Sequence, residues 1–477
     1  MVITVARPHS EGSTTVEAPR DPTAPVPSHT THLLKVPGAT ALIIGGVIGT
    51  GVFTLPSSLA PYGMLAIVGL LVVTVGAIAV GLMFASLSRR IPRAGGPYAY
   101  AHEEFGDVTG FTAAWSYWLT TAVGNAGIVV SWVFYVNAMF GWSSDNLTRN
   151  LVIAMFGLWI PVGINFIGLN QVRRFQVITV FVKVVPLVFV ATIGMWFAIS
   201  RWEFPEWNPT GGLPWAVITT TGALVLFIYL GVEDASSAAG RVENPARNVP
   251  RATIIGTLAC AALYVLSTVA IFGLVPASEL SNTGAPFSVA MADLTGASWS
   301  GQAIAFFAVV SGIGALNGLT LLVAEVPRAA AADGIFPRAF TRLTSRDAPW
   351  VGLLLSAALA TILVVVSNIG EGGLSAFNTL ILMTGITSAL PYFLSALASG
   401  RLLLTPGKRP HPGALARDLT ITVLAAAFSV WCIFGSGLTP IRLTAALMVV
   451  GYVVFALDRN RRRRSGTLVV AKQAPSA

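Results

Sequence analysis

The chain is poor in charge. Only 10% of its 477 residues are Asp, Glu, Lys or Arg, against about 25% in an ordinary soluble protein. A soluble chain of this length divides into two or three domains, each with a charged surface. Twenty acidic and 29 basic residues are too few for that, which excludes a large soluble enzyme. Cysteine is nearly missing: Cys260 and Cys432 both fall inside apolar runs, so neither a disulfide framework nor a metal site is legible. Histidine is scarce where chemistry would need it. His9, His29, His32, His102 and His411 lie in tails or loops. No nucleophile–base pair, phosphate-cradling loop or zinc spacing is present, so no enzyme activity, cofactor or metal is expected. The start of the chain has no apolar core of signal-peptide length.

Apolar sequence dominates instead. Hydrophobic residues make up 54% and mean hydropathy is +0.74. Twelve apolar runs are long enough to cross roughly 30 Å of hydrocarbon. They lie near 39–61, 64–87, 110–140, 150–168, 175–199, 214–238, 252–275, 300–327, 350–369, 374–400, 418–436 and 439–457, and are numbered here as spans 1 to 12. This is an all-α polytopic membrane protein with the lipid bilayer as its solvent. The loops after spans 2, 4, 6, 8 and 10 carry 16 Lys or Arg. The opposite side has only Arg149, Arg201 and Arg442. By the positive-inside rule both termini are cytoplasmic, and a plasma membrane is expected. The net charge of +9 is spread between apolar runs, so no nucleic-acid partner is expected. Residues 1–36 read as a disordered cytoplasmic tail and 459–477 as a basic cytoplasmic tail, with Arg461–Arg464 beside the membrane. Trp115, Trp118, Trp202 and Trp207 lie near span ends, where an interfacial belt is the default.

Two spans contain sequence that breaks helices. Span 1 has Gly45, Gly46, Gly49 and Gly51 within seven residues. Such a cluster permits either unwinding or close helix packing. Span 6 has Leu230-Gly231-Val232-Glu233-Asp234, two carboxylates and a glycine in an apolar run. Interruptions at matching places in two halves point to a transporter binding site. Five plus five spans, an odd repeat, must insert with opposite topology. The repeats are then 37–199 and 214–400, with spans 11 and 12 (418–458) appended. Freed amides suit a carboxylate and freed carbonyls suit an ammonium group, so an amino acid is the economical ligand.

The motifs GGVIGTGVF (45–53), GGPYAYAHEEFG (95–106), YWLTTAVGN (117–125), GVEDASSAAGRVENPARNVP (231–250), AAAADGIFP (329–337) and LPYFL (390–394) resemble the amino acid–polyamine–organocation superfamily. Within it the chain looks like the basic amino acid/polyamine antiporters of the arginine/agmatine type, over about residues 36–458. The resemblance implies a LeuT-like 5+5 inverted repeat with spans 1 and 6 broken. It implies a secondary transporter working by alternating access, for an amino acid or polyamine, with a cationic substrate favoured. Protons as coupling ion and a homodimer are both compatible with it.

The resemblance also assigns residues. Thr50 and Gly51 would hold the substrate carboxylate, while Val47, Phe227 and Leu230 would offer carbonyls to the α-amino group. Asn125 and Thr384 would lie toward the substrate side chain. Tyr117, Tyr392 and the proton-responsive Glu233 would close the cytoplasmic path. Two departures stand out. Leu319 and Phe227 replace tryptophans of the arginine/agmatine type, and Leu319 makes no cation–π contact, worth about 0.5–2 kcal/mol. Lys183 stands where several sodium-independent relatives have a lysine in the sodium place. It lies about nine residues, roughly 13 Å, from Arg174, far for snorkelling. It is expected either to couple or organise the site, or to be a structural amine bonded to carbonyls of spans 1 and 8. Asp234 reads as helix-end structure. A neutral amino-acid permease and a transport-dead sensor are the alternatives. A major-facilitator arrangement fits less well, because its repeats pair different spans.

Overall fold

The computed structural model describes residues 34–91, 95–167, 182–201, 203–237, 242–346, 348–370, 373–407 and 411–464. The N-terminal tail up to Leu33, the last residues 465–477, and the basic residues Arg93, Arg173, Arg174, Arg241, Lys408 and Arg409 lie outside them. The unit from Leu34 onward is compact and, among the described residues, helical apart from one parallel bridge between Leu34 and Val242.

Among the described residues, ten helices are long and apolar enough to cross a membrane: Leu65–Arg90, Asp107–Phe140, Leu147–Phe166, Val182–Arg201, Pro245–Leu274, Ser298–Ala332, Trp350–Ile369, Gly373–Leu404, Pro412–Gly435 and Leu438–Arg462. They match predicted spans 2–5 and 7–12. Span 1 is a pair, Val36–Val47 and Gly51–Tyr62, bent by 56°. Span 6 begins as a shorter apolar helix, Pro214–Tyr229, and resumes after its break as Asp234–Ser237. Several helices start on a proline, such as Pro97, Pro214, Pro245, Pro286 and Pro412. There the missing N–H costs no helix bond and φ is already set. Span 3 ends on Gly141 at φ 67°, a left-handed closure that glycine adopts without strain.

Hydrogen bonds and ion pairs tie the loops into two groups. In one, Arg90 pairs with Asp418 at 3.5 Å, Arg401 with Glu104 at 3.6 Å, and Tyr98 bonds Asp333. These contacts join the loops after spans 2, 8 and 10. In the other, Met64 and Leu65 N–H groups donate to the carbonyls of Glu206 and Trp207, joining the loops after spans 1 and 5. The loops after spans 2, 8 and 10 thus meet one another, as do those after spans 1 and 5.

Span 3 is the axis. Its most apolar stretch is 100% buried, whereas that of span 12 is 17% buried. This position overrides the interfacial reading of two tryptophans. Trp115 and Trp118 are buried, and their indole N–H groups donate to the Leu447 carbonyl at 3.0 Å and to Ser356 Oγ at 2.7 Å. Trp207 is exposed, in keeping with a belt. Span 12 also runs further than its apolar pattern, as a helix to Arg464. Arg462 explains the extension: it pairs with Asp458 one turn back at 2.6 Å. It also donates to the carbonyls of Gly334 (2.6 Å) and Phe336 (2.5 Å). Part of the expected tail is thus a structured clamp on the loop after span 8.

Candidate functional site

Span 1 opens at Ile48, whose backbone is extended at φ −79°, ψ 106°. Ile48, Gly49 and Thr50 separate its two halves. Span 6 tightens into a 3-10 turn at Phe227–Tyr229, and Leu230 is then extended at ψ 135°. Gly231 follows at φ 103°, in the region that favours glycine. The two breaks face each other: a Cβ built on Gly231 would lie 2.9 Å from the Gly46 carbonyl carbon. That close approach requires glycine at 231, whereas a Cβ on Gly46 would meet the Asp234 carboxylate instead.

A cavity of about 130 Å³ lies at the facing breaks. Of the residues assigned by resemblance, Val47, Gly51, Phe227, Leu230, Leu319, Tyr117 and Glu233 reach its wall. Thr120, Thr121, Asp234, Ala315 and Gly318 join them without having been singled out as site residues. Thr50, Asn125, Thr384, Tyr392 and Lys183 stand behind the wall. Each has a distinct surrounding.

Thr50 is fully buried. Its hydroxyl points toward Gly312 of span 8, where an added Cβ would sit 2.4 Å from Oγ1. That oxygen has no hydrogen-bond partner among the described residues. Gly51 stays on the wall, but the Phe227 ring lies against it, 2.3 Å from where a Cβ would be. Phe227 also meets Phe377 edge-on at 6.4 Å. Beyond that ring are Gly124 and Thr384, with Thr384 Cγ2 3.5 Å from a Cβ position on Gly124. The Thr384 hydroxyl is spent on its own helix, donating to the Leu380 carbonyl at 2.8 Å. Asn125, beside Gly124, is buried, and its Oδ1 is unpaired among the described residues. Neither Asn125 nor Thr384 reaches the cavity wall.

Tyr117, Tyr392 and Glu233 do come together. The Tyr117 and Tyr392 hydroxyls donate to Glu233 Oε1 at 3.1 and 2.9 Å, and the Gly231 N–H donates to Oε2 at 3.2 Å. One buried carboxylate thereby joins spans 3, 6 and 10. Lys183 is also buried. Its ammonium donates to the carbonyls of Gly45 and of Ile48, the latter at 2.6 Å. Both acceptors belong to span 1; the expected contact with span 8 is not among the bonds formed by the described residues. The amine stitches together carbonyls that the break has freed, which offsets the cost of unpaired backbone at that depth.

Sequence reasoning missed Tyr264. Its hydroxyl lies 3.1 Å from the Val47 carbonyl and 3.4 Å from that of Ile228, spanning both breaks from span 7. A single tyrosine in an apolar run carries no periodic signal, so only the fold reveals it.

The family described as amino acid permease matches residues 34–457, essentially the whole described unit. The chain belongs to the amino acid permease family. It is a multi-pass membrane transporter. This permease is 31% identical to the putrescine transporter PotE of Haemophilus influenzae over 417 residues, 87% of this chain and 94% of that protein. It is 29% identical to the cadaverine/lysine antiporter of Escherichia coli K12 over 363 residues, 75% and 81% of the two chains. Among solved structures it is similar to a point mutant of the manganese transporter of Eremococcus coleocola. The TM-score is 0.58 at 14% identity, covering 93% of this chain and 98% of that one, a likeness of fold alone.

Proposed function

We propose that this permease exchanges small organic cations, diamines and basic amino acids, across the plasma membrane. One observation carries the reading. Glu233 and Asp234 both line the cavity, and no Lys, Arg or His among the described residues does. A largely apolar space with two carboxylates on its wall favours cations and repels anions, because charge interactions strengthen where water is scarce. The relatives named for putrescine and for cadaverine and lysine support the same substrate class.

In this reading spans 1–5 and 6–10 are inverted repeats that rock about the two breaks. Both termini and the basic loops face the cytoplasm. Tyr117, Tyr392 and Glu233 close one end of the cavity, and their separation opens it. Val47 and Leu230 contribute backbone, while Leu319 and Phe227 give apolar walls to the substrate's methylene chain.

The test is uptake of labelled 1,4-diaminobutane and of labelled arginine, lysine and ornithine into proteoliposomes. Vesicles are empty or preloaded with the unlabelled compound, with and without an inward proton gradient. Uptake restricted to preloaded vesicles is the result for an exchanger. Gradient-driven uptake into empty vesicles means proton-coupled import instead. Transport of neutral amino acids alone refutes the cation reading.

A further inference from the structure

Asp234 reads from sequence as the end of a helix, yet it stands on the cavity wall beside Gly46. A Cβ built on Gly46 would lie 2.0 Å from Asp234 Oδ2, so only a glycine lets the carboxylate occupy this place. Its neighbour Glu233 is engaged by two tyrosine hydroxyls and a backbone amide. The Asp234 carboxylate accepts no hydrogen bond and forms no ion pair among the described residues. The ammonium of Lys183 is bonded to the Gly45 and Ile48 carbonyls. The residue assigned to a substrate carboxylate by its side chain, Thr50, lies behind the wall. What the wall offers an anion is backbone amide at the start of the second half of span 1, with the Phe227 ring laid against Gly51.

We propose that Asp234 is a specificity-determining residue that accepts a second ammonium group and disfavours a carboxylate, so that the cavity selects a diamine over the amino acid of matching length. The inference rests on the cation-exchange reading above. A carboxylate with free lone pairs at the rim of a low-dielectric space forms a charge-assisted bond to an ammonium group. The same group in the same place repels the α-carboxylate of ornithine.

The experiment is competition against labelled 1,4-diaminobutane exchange by unlabelled 1,4-diaminobutane, ornithine and n-butylamine, using the full chain in proteoliposomes. In the wild type the diamine is expected to compete better than butylamine and ornithine by about ten- to a hundredfold, the range of one charge-assisted hydrogen bond. Asp234→Asn is expected to bring all three within about threefold of one another, chiefly by weakening the diamine. A loss shared equally by the diamine and ornithine assigns Asp234 a structural role and overturns the proposal. So does an unchanged ratio. If Asp234→Asn does not fold, the wild-type ratio decides: equal competition by butylamine and the diamine means that no second ammonium is recognised. A wild type that exchanges no organic cation overturns the cation reading itself, a distinct result from exchange without diamine preference.

Discussion

Replacing Thr50 by valine separates what resemblance implies from what the fold presents. If the hydroxyl held substrate, Thr50→Val would remove a contact worth about 0.5–1.5 kcal/mol, a two- to roughly tenfold loss of affinity. In the structure the hydroxyl is buried against Gly312, off the cavity wall, with no partner among the described residues. The Thr50 carbonyl, which valine keeps, accepts the Ser131 hydroxyl at 3.2 Å. Valine has nearly the shape of threonine and buries a methyl in place of an unpaired polar group, a change worth up to about 1–3 kcal/mol in favour of the fold. The expected outcome is a Kd for 1,4-diaminobutane and for ornithine within about twofold of wild type. The unfolding temperature in detergent should be unchanged or higher. Scintillation proximity binding and thermal unfolding of the purified variant measure the two quantities. A fivefold or greater loss of affinity, about 1 kcal/mol, with normal stability would refute the reasoning and return Thr50 to the binding site.

Other perturbations follow from the same geometry. Tyr392→Phe removes a donor to the buried Glu233 carboxylate, a bond to a charged group worth about 1.5–3 kcal/mol. Exchange should slow at least about tenfold, and adding Tyr117→Phe should cost less than the sum, because both hydroxyls share one oxygen; full additivity would show that they act independently. Lys183→Met strands two carbonyls but relieves the burial of an amine, about 2.5–3.5 kcal/mol on insertion scales. The variant should therefore fold but transport with an altered pH profile; an unaltered profile at normal rate would leave Lys183 a purely structural anchor. Gly222→Ala places a methyl 2.3 Å from the rigid Trp431 ring and should lower stability by about 1–3 kcal/mol, read as a fall in unfolding temperature with little change in substrate affinity.

Class, span number and break positions were legible in the residues because they depend on one-dimensional facts. A helix must be apolar for about 20 residues to cross lipid. Backbone can leave the helix at that depth only where glycines or carboxylates interrupt the run and protein or a cavity receives it. The trio Tyr117, Glu233 and Tyr392 was reached by resemblance, and the fold assembles it. The wall of the cavity was another matter. Unwound backbone has no period, so neither Gly45–Gly51 nor Leu230–Asp234 says which side chain turns inward. Thr50 turned out toward span 8 and Asp234 turned in beside Gly46. Nor does hydrophobicity rank the spans by depth, since lipid is as apolar as a protein core. Only packing made span 3 the axis, drew Trp115 and Trp118 inside, and left span 12 at the edge. Composition thus determines that this chain crosses the membrane and where its helices open, because both follow from local solvation. Which groups face the opening depends on contacts between segments far apart in sequence, and those exist only once the bundle has closed.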